Sequence, residues 1–254
     1  MYNFLNKLFI FFRFPAAVLL AFWTLSGCIP FPKAPMDLLS YESNEGVPNQ
    51  NLIVFLRGYT GDYNYFESEG LVDEVRKRHL PYDMVSPDAH PGYYHERTLI
   101  QRLKADVIGP AKNKGYRNIW LIGVSIGGMG SLLYLREYPE DISGVYVISP
   151  FLGYPPIASE IRAAGGLSKW EPGKYDEEKD WQRMLWHWLK TYSALKHRIA
   201  PIYMGYGENE IFAEAQNLMA DILPAEHVYR IKGAHTYKTF KALWIVFLDD
   251  SVLE

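Results

Sequence analysis

The chain has 254 residues, 48% of them hydrophobic and 22% charged, with a formal net charge of −3. That size and mixture suit one globular catalytic domain with a large core, and basic residues scattered rather than striped exclude a nucleic-acid face. A single cysteine, Cys28, excludes an internal disulfide and any cysteine-based metal site.

Residues 1–27 read as a secretory signal peptide. Lys7 and Arg13 are their only charges, and Phe14 to Leu25 is a short apolar run. The next residues, Leu25-Ser26-Gly27-Cys28, resemble the lipobox of bacterial lipoproteins. That resemblance implies cleavage before Cys28, a lipid on its sulfur, and a membrane as partner. It implies a place in the cell envelope, and the outer membrane in particular, because Ile29 is not aspartate. The other reading of this stretch is an uncleaved anchor, since Leu8 to Phe12 adds apolar residues upstream. Cleavage removes two positive charges and no negative ones, so −3 becomes −5 for the mature side chains.

Residues 28–50 hold prolines and turn residues in quick succession (Pro30, Pro32, Pro35, Asn44, Gly46, Pro48), the pattern of a tether with at most a short element around Met36 to Tyr41. The catalytic domain is expected over 51–254. It opens on Leu-Ile-Val-Phe-Leu after Asn51, a run apolar on both faces, as a strand of a parallel sheet must be. Strands are expected at 51–56, 82–86, 118–124, 144–148, 201–206 and 227–232. Helices are expected near 63–78, 98–112, 127–137, 212–223 and 237–249. The alternation predicts an α/β fold, a doubly wound and mostly parallel sheet of about six strands.

Residues 151–200 break the rhythm, being too long for one crossover helix. They are expected to form a small helical cap insertion over the ligand end of the sheet, with a peripheral pair of helices as the other reading. Trp181, Trp186 and Trp188 at near-helical spacing are read first as packing. His90 and His95 do not have the spacing of a helical metal pair and have no carboxylate cluster beside them, so no metal site is assigned. Tyr93 and Tyr94, in the loop after the second core strand, are expected to line the substrate pocket.

Gly123-Val124-Ser125-Ile126-Gly127 fits the G-x-S-x-G nucleophile elbow, set between an apolar strand and a helix. The turn there is so tight that small residues must flank the serine. A serine hydroxyl is a poor nucleophile until a histidine takes its proton, and that imidazole needs a carboxylate to fix its tautomer. His235 follows the last strand across the small-residue turn Gly233-Ala234. The loop after the preceding strand, Gly207-Glu208-Asn209-Glu210, supplies two acids.

With these residues the chain resembles the α/β-hydrolase superfamily, in its small esterase and lipase-like branch, from about Asn51 onward. The resemblance implies hydrolysis of a carboxylic ester, thioester or amide through an acyl-serine, on a small-molecule acyl substrate, with no cofactor. It implies Ser125 as nucleophile and His235 as base. A glycine with the acid three places on is common in the family, which favours Glu210, with Glu208 as alternative and a helix-start role for both acids also open. One oxyanion donor is expected to be the N–H of Ile126. The other is expected from the loop Arg57-Gly58-Tyr59, where Gly58 lets the backbone turn inward beside the substrate and the N–H of Tyr59 donates. Many relatives carry histidine where Arg57 stands. Two further readings of the same fold are a non-catalytic envelope lipoprotein used for interaction and an acyltransferase using the same triad.

Overall fold

The computed structural model describes residues 30–43, 49–195 and 198–253. Residues 1–27, where a signal peptide is expected, therefore lie outside the described residues, as does Cys28. Residues from Phe31 onward form one compact unit.

Seven strands make one sheet in the order β1-β3-β2-β4-β5-β6-β7. They are β1 (Leu38–Tyr41), β2 (Asn51–Leu56), β3 (Asp83–Pro87), β4 (Asn118–Val124), β5 (Gly144–Ile148), β6 (Ile202–Gly207) and β7 (Val228–Ile231). β2 to β7 are parallel, and β1 joins β3 antiparallel at one edge. The six expected strands are all present, within a residue at each end. Where at most a short element was expected around Met36 to Tyr41, β1 adds a seventh strand, and Met36 and Tyr41 are buried, so the compact domain begins before Asn51.

The pleat sends alternate side chains to opposite faces, and both faces are covered. Leu52, Val54, Leu56, Ile119 and Leu121 enter one core layer. Ile53, Phe55, Trp120, Ile122 and Val124 enter the other. Helices Leu71–Lys77 and Tyr237–Asp249 cover the second layer, where Trp244 is fully buried and its Nε1 donates to Leu71 O at 2.9 Å. Phe247 stacks on Tyr146 at 4.1 Å. Burying such a ring supplies about 2–3 kcal/mol.

The helix expected over 98–112 is interrupted by a π-helical stretch, Leu103–Ile108, between Leu99–Arg102 and Gly109–Asn113. Pro110 has no N–H to give a carbonyl one turn back, and the wider turn accommodates that loss. The 151–200 insertion holds two helices, Pro155–Ala163 and Trp181–Leu195. Trp186 is buried in the first core layer and its Nε1 donates to Leu152 O at 2.9 Å. Among the described residues no helix is long and apolar enough to cross a membrane.

The chain winds from β2 to β3 in one direction and from β4 through β7 in the other. The crevice beyond the carboxyl ends of β2 and β4 is where the winding reverses, and open α/β sheets bind ligands there. Ser125 is the first residue after β4.

Candidate active site

Ser125 has φ 54° and ψ −115°, a conformation costly for any residue with a side chain. It persists because its backbone is held: Ser125 N donates to Ile148 O at 2.9 Å, and Ser125 O accepts from Gly128 N and Phe151 N, each at 3.0 Å. The flanking glycines are sterically required. A Cβ on Gly127 would lie 2.1 Å from Leu56 O, and one on Gly123 would lie 2.3 Å from Gly127 O. The helix Ile126–Glu137 therefore lies hard against β2 and β4 and presents its first N–H beside the serine.

The loops after β6 and β7 are joined by their backbones. Glu208 N donates to Ile231 O and Asn209 N to Gly233 O, both at 2.9 Å. Gly207 and Gly233 touch so closely that a Cβ on Gly207 would meet Gly233 O at 2.4 Å. That contact sets the spacing of the two side chains that follow. His235 Nδ1 lies 3.0 Å from Glu210 Oε2, and His235 Nε2 lies 3.0 Å from Ser125 Oγ. Both distances suit hydrogen bonds, and the imidazole bridges serine and carboxylate.

Of the two candidate acids, Glu210 reaches the histidine. Its residue is 6% exposed, whereas Glu208 is exposed to solvent. Four donors converge on the Glu210 carboxylate. Besides His235, Ser149 Oγ donates to Oε1, Gly207 N donates to Oε1 at 2.9 Å, and Gln216 Nε2 donates to Oε2 at 2.8 Å. Burial pushes the carboxyl up, and the bonds from His235, Ser149, Gln216 and the Gly207 N–H outweigh it, so the net shift is below the ordinary glutamate value. The acid is thus held charged although water is excluded from it.

Ser149 and Gln216 were not singled out in the sequence. Ser149 stands directly after β5, at the functional end of the sheet, with φ 50°. Gln216 lies in the helix Ala213–Ala220. Position after a strand end was the available signal for Ser149. For Gln216 there was none, because its partner is fixed by tertiary packing.

The loop after β2 passes close to the serine, with the Cβ direction of Gly58 ending 3.7 Å from Ser125 Cβ. Among the described residues, neither the N–H of Ile126 nor that of Tyr59 donates to a protein acceptor. Arg57 is buried and bound within the same loop region: Nη1 donates to Asp88 Oδ1 at 2.9 Å and Nη2 to Gly61 O. It ties the loop's start to its end and to the segment after β3.

A cavity of about 600 Å³ lies over Ser125 and His235. Phe151, Tyr154, Ile211, Phe212, Tyr237 and Phe240 are among its walls, and no lysine, arginine, aspartate or glutamate lines it among the described residues. Phe212 and Phe240 meet the His235 ring edge-on at 5.4 and 4.9 Å. From the 151–200 insertion, Phe151 and Tyr154 reach the cavity, and the tryptophan-bearing helix does not line it, its Trp181 packing against Phe151 at 5.9 Å.

Tyr93 and Tyr94 do not line this cavity, contrary to the expectation. Tyr93 Oη donates to Lys33 O and accepts from Lys33 N, each at 3.0 Å. The Tyr94 hydroxyl is buried against Gly130. β3 stands one strand beyond β2 from the crevice, so the loop that follows it packs against the amino-terminal segment instead. His90 accepts a bond from Gly92 N at 3.1 Å as a helix cap, while His95 is exposed beside Glu96. Among the described residues no three potential metal ligands converge.

A sequence profile of the family described as "Putative esterase" matches residues 76–246, well over half of the chain. A proline iminopeptidase of Lactobacillus acidophilus is 29% identical over 130 residues, covering 45% of this chain and 42% of the relative. The chain thus spans less than half the length of the curated relatives it matches. Solved structures share its fold, these two among them. S-formylglutathione hydrolase of Staphylococcus aureus is 11% identical, with a TM-score of 0.55 over 87% of this chain and 98% of that one. Est1E of Butyrivibrio proteoclasticus is 15% identical, with a TM-score of 0.56 over 88% and 98%. At those identities the likeness is one of fold.

Proposed function

The chain belongs to this esterase family, on an α/β-hydrolase fold, and from that premise we propose a serine hydrolase that cleaves carboxylic esters through an acyl-serine. The observation that carries the reading is the unbroken relay from Ser125 Oγ through His235 to Glu210, 3.0 Å at each step.

Ser125 Oγ attacks the ester carbonyl while its proton passes to His235 Nε2. Glu210 accepts the Nδ1–H bond, which fixes the tautomer that leaves Nε2 free to act as base and then stabilises the imidazolium. The carbonyl oxygen gains charge beside the N–H groups of Ile126 and Tyr59, donors worth about 3 kcal/mol each in the transition state. The C–O bond to the alcohol then breaks, and His235 gives the departing oxygen its proton. Water attacks the acyl-serine as its proton goes to His235, the C–Oγ bond breaks, and His235 returns that proton to Ser125 Oγ as the carboxylic acid leaves.

The cavity walls bear on substrate class. A free α-ammonium group, as on a peptide's amino terminus, needs a carboxylate to replace its water. Without one among the lining residues, an uncharged ester with an apolar or aromatic acyl group fits better than a peptide with a free amino end. A scaffold used only for binding has no physical need of the relay, which speaks against the interaction-module reading. Lipidation of Cys28 and residence in the cell envelope, on the outer membrane in particular, complete the proposal and rest on Leu25-Ser26-Gly27-Cys28.

The test is product analysis with p-nitrophenyl esters, with and without an added alcohol. Free acid as the main product in both, lost in Ser125→Ala, supports hydrolysis. Acyl transfer to the alcohol as the main product would assign an acyltransferase, and equal rates for Ser125→Ala would overturn the proposal.

A further inference from the structure

The cavity is built from loops after the carboxyl ends of β2, β4, β5, β6 and β7, and the chain enters the domain at this same end. β1 runs antiparallel to β3, with Leu38 opposite Pro87 and Tyr41 opposite Met84. Leu38 therefore stands at the carboxyl end of β3. The residues before it stay there, because Lys33 exchanges two backbone hydrogen bonds with the hydroxyl of Tyr93, in the helix Pro91–His95 that follows β3. Had the edge strand paired parallel, the amino terminus would enter at the opposite end.

Exposed apolar side chains collect at this end. Of the eight large apolar or aromatic side chains exposed among the described residues, six are here: Phe31, Leu38, Tyr59, Tyr154, Ile211 and Tyr237. Phe31 is 86% and Ile211 78% exposed. The last four border the cavity. Scattered exposed apolar residues need no explanation, but a gathering at one end of the sheet, four of them at the cavity mouth, does. Tyrosine, with an apolar ring and a polar tip, suits the headgroup layer of a bilayer.

We infer that this end of the domain is a membrane-docking face, with the cavity mouth opening onto the lipid surface. The ester cleaved is then one held in the bilayer, its acyl chain entering among Phe151, Phe212 and Phe240. Chain length argues for lipid as the occupant. Lys33 follows Cys28 by five positions, with four residues between them, and an extended chain spans at most about 18 Å over those five steps. A lipid on Cys28 would hold the face bearing the mouth beside the membrane and could not hold the opposite end there. The inference rests on the esterase reading of the cavity and on the lipidation reading of Cys28.

Residues 29–254 contain the whole compact unit, so their unlipidated form tests the face itself. An environment-sensitive thiol dye is placed at Ile211→Cys or at Lys114→Cys, which precedes β4 at the other end of the sheet. Vesicles of phosphatidylethanolamine with phosphatidylglycerol are added. The dye at 211 should shift to the blue and the dye at 114 should not. Phe31→Glu and Leu38→Glu, outside the cavity, should each weaken vesicle partitioning about tenfold, with fluorophosphonate labelling of Ser125 unchanged. Equal responses at 211 and 114, or no partitioning, would overturn the inference. A vesicle-independent shift at 211 that tracks dimerisation in sedimentation would overturn it too, assigning the face to a second copy. Vesicle binding intact with Ser125 unlabelled would contradict the esterase reading and leave the docking face standing.

Discussion

Glu210 Oε2 stands 3.0 Å from His235 Nδ1, and the two side chains come from loops zipped together by backbone bonds from Glu208 and Asn209. Glu208, two residues earlier, faces solvent. Glu210→Gln should therefore lower kcat by about 10⁴-fold, since an amide no longer enforces the tautomer the base requires. Glu208→Gln should stay within about threefold, the range of a solvated surface change. Steady-state kinetics on one ester decide it, and equal losses in the two variants would contradict the assignment.

Ser149 and Gln216 are predicted to act through Glu210 as positioning residues. Each gives the buried carboxylate one hydrogen bond, and deleting one leaves an acceptor short of a partner at a cost of about 1–3 kcal/mol. Ser149→Ala and Gln216→Leu should each lower kcat about tenfold with little change in KM. A change in KM alone would place them in substrate binding instead.

The shift at Glu210 fixes a pH effect on stability. Its folded value lies below the ordinary 4.5, so as pH falls the unfolded chain takes up the proton first. The stabilising contribution is complete above about pH 4.5 and is lost as pH falls through the folded value. Urea unfolding of wild type and Glu210→Gln from pH 7 to pH 3 should show wild type losing stability faster below that point. Parallel curves would show that the carboxylate contributes nothing there.

Much of this was legible because local chemistry dictated it. The runs at 51–56, 118–124 and 144–148 are apolar on both faces, and only a covered parallel sheet accommodates them. Gly123 and Gly127 marked the tight turn around Ser125, and the structure puts close backbone approaches at both. The rest depended on distant partners. β1 has four residues in a proline-rich stretch and pairs with a strand more than forty residues away, so the local pattern pointed only to a short element there and not to a strand of the sheet. The same pairing closes the loop after β3 with Lys33 and draws Tyr93 away from the cavity. Ser149 and Gln216 hold Glu210 across 61 and 6 residues of chain, which no spacing rule anticipates.

Gly127 offers a steric test of the elbow. A methyl group there would meet Leu56 O at 2.1 Å, with Arg57 O at 2.6 Å. These are backbone atoms of β2 and its following loop and cannot swing aside. Gly127→Ala should cost about 2–4 kcal/mol of stability and reduce kcat by at least about tenfold by moving Ser125 relative to Tyr59. Thermal unfolding near wild type, with full activity, would mean the helix does not lie against β2 as described.

A nucleophilic Ser125 activated by His235 is the centre of the proposed mechanism. The most direct measurement is covalent capture with a fluorophosphonate, followed by mass mapping of the modified peptide. One adduct is expected, on Ser125, formed by wild type, absent in Ser125→Ala, and slowed by at least about 10³-fold in His235→Ala. An adduct elsewhere, or labelling of Ser125 at the same rate without His235, would contradict it.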